Sequence, residues 1–166
     1  MKKMKSILIL LLPILFYIVS CKEDNTMDIA DNNPPITNDN TAAAVVSVSV
    51  SGNENSYSFS VGIKSPDTGC NQYADWWEVI TENETLLYRR ILAHSHVNEQ
   101  PFVRSGGPVS ITKDQVVIIR AHMNTSGYGD KVFKGSVSTG FKEEDLEKTF
   151  ANALETVAPL PSGCAF

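Results

Sequence analysis

Residues 46–64 read VSVSVSGNENSYSFSVGIK, and this stretch decides the fold class. Val46, Val48 and Val50 alternate with Ser47, Ser49 and Ser51. Tyr57, Phe59, Val61 and Ile63 alternate with Ser58, Ser60, Gly62 and Lys64. A period of two sends successive side chains to opposite faces of a strand. Between the runs, Gly52-Asn53-Glu54-Asn55 carries turn residues. The pattern predicts a β-hairpin with one buried face and one Ser-rich face in water.

Downstream, residues 65–74 form a loop with Pro66, Gly69 and Cys70. Residues 75–81 (DWWEVIT) predict a third strand, Glu82-Asn83-Glu84 a turn, and residues 85–96 a long fourth strand. Residues 97–107 end in Ser-Gly-Gly and read as a loop, with a short strand over 109–111. Residues 115–123 (QVVIIRAHM) are almost continuously apolar, which suits a central, well-covered strand. A Gly-rich loop at 124–130 leads to a last strand at 131–139. Short strands separated by turns predict a mainly β, antiparallel sandwich. The spacing resembles immunoglobulin-like and fibronectin type III-like domains, without the Cys…Trp…Cys spacing of antibody domains.

The region 142–157 (KEEDLEKTFANALETV) breaks the alternation. Leu146, Phe150, Ala153, Leu154 and Val157 recur at helical spacing, and Glu143, Glu144 and Asp145 would occupy a favourable first turn. One amphipathic C-terminal α-helix is expected there, stopped by Pro159 and packed on the sandwich.

The 166 residues carry a formal net charge of −5, with 42% hydrophobic and 8% aromatic residues. That size suits one domain plus a tail. The acidic balance argues against nucleic acid as partner, since phosphates demand Lys and Arg. Lys2, Lys3 and Lys5 precede an apolar stretch from Ile7 to Val19. Thirteen helical residues rise about 20 Å, short of a hydrocarbon core of about 30 Å, so residues 1–20 read as a signal peptide. Residues 22–41 (KEDNTMDIADNNPPITNDNT) hold too few apolar groups to offset the entropy of ordering and read as a tether. The folded domain is then 42–166.

Ile18-Val19-Ser20-Cys21 resembles the lipobox of bacterial lipoproteins. The resemblance implies that Cys21 is acylated and becomes the mature N-terminus, anchoring the chain to a membrane. Lys22-Glu23-Asp24 after it resembles the surface-export signal of Bacteroidota lipoproteins, which implies an outer-membrane, cell-surface location. Thr68–Tyr128 is also similar to a family of small exported bacterial proteins, a likeness that implies no activity.

In an exported domain, Cys70 and Cys164 are expected to pair. Three further groups could carry function. His94, His96 and His122 are all the histidines of the chain and could hold Zn or Cu(II) if their strands are neighbours in register. Trp76 and Trp77 point to opposite faces of their strand, and an exposed ring could stack on a glycan. Arg90 and Arg120 share parity with the histidines and could bind a carboxylate, phosphate or acidic glycan. G-x-S-x-G, P-loop, G-x-G-x-x-G and H-E-x-x-H motifs are absent from the sequence. The chain therefore reads as a non-enzymatic lipoprotein with a ligand-binding or accessory role, or as a structural subunit of an envelope complex.

Overall fold

The computed structural model describes residues 41–165. The strands in chain order are β1 (Ala44–Asn53), β2 (Ser56–Lys64), β3 (Ala74–Ile80), β4 (Leu86–Ile91), β5 (Phe102–Val109), β6 (Val117–Met123), β7 (Gly127–Tyr128), β8 (Lys131–Ser136) and β9 (Gly140–Asp145). β1, β2 and β5 form one antiparallel sheet in the order β1-β2-β5. The second sheet has the order β4-β3-β6-β8-β9, with β7 also paired to β6. The antiparallel sandwich expected from the alternating runs is the architecture observed.

The hairpin forms as the sequence implies, with a tight end. Asn53 pairs with Ser56, leaving Glu54 and Asn55 as the turn. Asn55 takes the left-handed conformation at φ 65°, which Asn tolerates better than most residues. Tyr57, Phe59, Val61 and Ile63 are all buried. One detail of β1 differs from the simple alternation. A register shift between Val45 and Ser47 bulges Val46 out of the ladder. Val45 therefore enters the core at 1% exposure while Val46 is left 39% exposed.

Phe59, Val61, Ile63, Phe102 and Val109 from the first sheet pack with Trp77, Val79, Val117, Ile119 and Ala121 from the second. Full burial of a large apolar side chain contributes about 1.5–3 kcal/mol, so this layer is the main source of stability. β3 and β6 are buried at every position, because their second faces are covered too. That matches the continuous apolar run read at 115–123.

Two stretches depart from the sequence reading. The expected loop at 97–107 contains most of β5, a strand that pairs with β2 from Phe102 to Val109. Its glycine belongs in the ladder: a Cβ on Gly106 would lie 2.6 Å from the Tyr88 hydroxyl and 3.0 Å from the Trp77 ring. Ser-Gly-Gly-Pro here marks a close approach and a bulge rather than a turn.

The expected C-terminal α-helix over 142–157 is not formed, and the described residues contain no α-helix. Residues 140–145 instead pair in register with β8, from Ser136↔Gly140 to Lys131↔Asp145. The acidic run lies on an exposed edge strand, where Asp145 pairs with Lys131 across the ladder. A chain of turns follows, with Ala151 left-handed at φ 52° and a short 3-10 helix at Asn152–Thr156. The apolar residues that mimicked a helical stripe still find a common surface. Ala151 and Leu154, flanked by Leu146 and Phe150, pack on Ile80, Ile118 and Val132.

Candidate functional site

On β3, side chains alternate between the sandwich core and the outer face of the larger sheet. Trp77 and Val79 face the core, while Trp76 and Glu78 face outward under the C-terminal segment. Register then sets the outer neighbours: Glu78 lies opposite Arg89 of β4 and Arg120 of β6, and Trp76 lies opposite His122. Glu78, Arg89 and Arg120 are 0%, 5% and 1% exposed, so this is a buried charge triad. Arg89 places Nε and Nη2 on Glu78 Oε2 at 2.7 and 2.6 Å. Arg120 places Nε and Nη2 on Oε1, both at 2.8 Å.

The remaining guanidinium donors do not go to solvent. Arg89 donates to the carbonyl oxygens of Leu154, Val157 and Pro159 at 2.7, 2.5 and 3.1 Å. Arg120 donates to those of Phe150 and Ala151 at 2.5 and 3.1 Å. This is the physical reason the helix fails. The carbonyls of Phe150 and Ala151, which the helix would commit to its own N–H groups, are taken by Arg120, while Arg89 takes those of Leu154, Val157 and Pro159. Residues 150–159 thus form a strap across the outer face of β3, β4 and β6.

Aromatic rings fill the rest of that face. His122 stacks on Trp76 with ring centroids 3.6 Å apart, and the Arg89 guanidinium sits 4.5 Å from the same ring. Arg120 lies 3.4 Å from the Tyr128 ring centroid. Burial, together with the nearby Glu78 carboxylate, pushes the Tyr128 hydroxyl well above its ordinary range. His122 Nδ1 is 2.7 Å from Asp75 Oδ1, and its Nε2 is 3.7 Å from Glu155 Oε1 on the strap.

The other constellation lies at the end of β4, on the side next to β5. β4 stops at Ile91, so His94 and His96 belong to the loop that follows it rather than to a strand. Arg90, opposite Trp77 in register, lies on the other face of β4 from Arg89. It is exposed and donates to the carbonyls of Ser105 and Ile91. Arg90, His94, His96 and Arg104 line a pocket of about 100 Å³. Arg104 pairs with Glu99 at 2.7 Å. His96 is 3% exposed and stacks on Phe102 at 3.8 Å. Neither of its ring nitrogens has a hydrogen-bond partner. Its Nδ1 is 3.8 Å from Asp67 Oδ2, beyond hydrogen-bond reach.

Burial, then the Arg104 and His94 charges, lowers the proton affinity of His96 against the opposing pull of Asp67 and Glu99. A group protonated less readily when folded makes the unfolded state the better proton binder. Stability should then rise with pH from the depressed value up to the ordinary histidine range near 6.5, and be lost as pH falls through that window. A His96→Phe variant keeps the stacking surface and loses the titration. Its urea midpoint should change less between pH 5.5 and 7.5 than that of the parent; equal changes would exclude His96 as the source.

The three histidines do not converge. His94 and His96 are neighbours with ring centroids 4.6 Å apart, whereas His122 is committed to Asp75 and Trp76 on the strap-covered face. Among the described residues no group of three or more His, Cys, Asp or Glu is arranged to hold a metal ion. Both tryptophans are buried, Trp76 at 4% and Trp77 at 0%, so neither offers a ring for stacking. Arg120 is closed under the strap, and of the four residues named for ligand contact only Arg90 is exposed. Cys70 and Cys164 form the expected disulfide with Cα atoms 5.5 Å apart. Cys21 lies outside the described residues.

Glu78 was not among the candidates, though it carried a signal. Glu78 in WWEVI and Arg120 in VVIIRA each interrupt an apolar strand. Charges in such positions are rarely buried unless paired.

The chain is 37% identical over 82 residues to a protein of Halomicrobium mukohataei named "Putative lipoprotein". The match spans 49% of this chain and 40% of that protein's length. No family model matches the chain. No solved structure matches it.

Proposed function

We propose that the chain is an exported, membrane-anchored lipoprotein whose folded part is a non-catalytic binding or accessory module. Cys21 carries the lipid, and residues 22–41 link it to the β-sandwich domain. The observation that carries this reading is the Cys70–Cys164 bond. Such bonds persist in oxidising compartments and are rare in the cytosol. The order of basic residues, apolar stretch and Cys21 supplies an export route. Similarity to the Halomicrobium lipoprotein over half of the chain supports the same reading. Lys22-Glu23-Asp24 supports display on the outer-membrane surface, where a glycan or an envelope protein is the class of partner.

Cells fed an alkyne-bearing fatty acid test the anchor. The parent chain should incorporate the label, and the Cys21→Ala variant should lose it. An unlabelled parent, or equal labelling of both, would overturn the proposal.

A further inference from the structure

The pocket at the end of β4 combines cationic side chains with a buried imidazole that lacks a partner. A neutral imidazole always carries one N–H donor and one acceptor nitrogen. A buried donor without an acceptor is costly, and native structures keep few of them. At His96 neither the donor nor the acceptor nitrogen has a hydrogen-bond partner in the protein. The same pocket is lined by Arg90 and Arg104. Two of the five Arg90 donors are engaged, one to Ser105 O and one to Ile91 O, which fixes the guanidinium against β5. Arg104 is half held: Nη1 donates to its neighbour's carbonyl at Val103 and Nη2 to Glu99. Asp67, the nearest buried acid, is already occupied by the N–H groups of Ala74 and His96 and by Ser65 and Ser95. It therefore has little capacity left for the imidazole.

We infer that the pocket formed by Arg90, Arg104, His94 and His96 is a binding site for a small oxyanion group, a carboxylate or phosphate. An oxyanion there receives the guanidinium donors that Arg90 and Arg104 leave unused, beside the buried His96 ring. A volume of about 100 Å³ suits such a group rather than a large ligand. Glu99 is the opposing charge at the rim; its side chain is 59% exposed, so it can swing away as Arg104 turns to the ligand. The inference deepens the reading of the domain as a binding module but does not depend on the lipid at Cys21.

The test uses the full purified chain in detergent at fixed ionic strength. Glucuronate and inorganic phosphate are titrated separately by calorimetry against the parent and against Arg90→Gln and Arg104→Gln variants. At least one probe should bind saturably, and each variant should weaken that binding by tenfold or more while still melting cooperatively in the absence of probe. Glucuronate binding without phosphate binding identifies a sugar-acid carboxylate; the converse identifies a phosphate. No saturable binding of either probe, or equal binding by parent and variants, would overturn the site. Fatty-acid labelling of Cys21 would stand whichever way this titration falls, so the two failures are separable.

Discussion

Replacing Glu78 with alanine should lower the stability of the folded domain by about 3–5 kcal/mol, the range for removing one partner of a buried ion pair. Glu78 is fully buried and takes four short contacts from Arg89 and Arg120. Without it two guanidinium ions remain in the interior with no counter-charge. A second variant separates charge pairing from strap anchoring. Replacing Glu78, Arg89 and Arg120 together with apolar residues of similar volume removes the charges, a change that is often neutral elsewhere. Here it would also orphan the carbonyl oxygens of Phe150, Ala151, Leu154, Val157 and Pro159. The triple variant should therefore stay clearly less stable than the parent in urea titrations. A triple variant as stable as the parent would mean that the strap needs no arginine anchors.

Reduction of Cys70–Cys164, or the double Cys70→Ser and Cys164→Ser variant, should have an effect of similar size. The cysteines are 94 residues apart, and closing a loop of that length is worth about 4–5 kcal/mol in the chain-entropy model. The bond ties the end of the strap to the loop before β3, close to where Asn124 donates to the carbonyls of Cys70 and Asn71. Breaking it should lower the denaturation midpoint and speed proteolytic cleavage within 157–165, where most residues are already exposed. A midpoint that is the same with and without reductant would show that the bond adds nothing to the folded state.

These two effects fall on features of unequal visibility in the sequence. The hairpin was legible because Val and Ser alternate with a strict period of two, and one face had to be buried. The bulge at Val46 was not, because a single inserted residue leaves the local alternation looking intact. The central position of β6 was legible from its unbroken apolar run. The false helix at 142–157 had the correct spacing and the correct terminal charges; what overrode it lay far away in sequence. Arg120 and Arg89 hold carbonyls of the segment from Phe150 to Val157 across separations of 30 to 68 residues, and β8 claims residues 140–145 as an edge strand. The disulfide was legible from the count of cysteines outside the signal region. The site residues were only partly so. Parity placed Arg90 and Arg120 together, yet the first reaches a pocket beside His94 and His96 while the second is sealed beneath the strap. His94 and His96 lie beyond the end of β4, where strand parity no longer governs.

The most direct measurement is the intact mass of the protein extracted from native membranes without reductant. A mature chain beginning at an acylated Cys21, and lighter by two hydrogens than its reduced form, is the expected result. A polypeptide that starts at Met1 and carries three unmodified thiols would contradict both the anchor and the covalent closure of the domain.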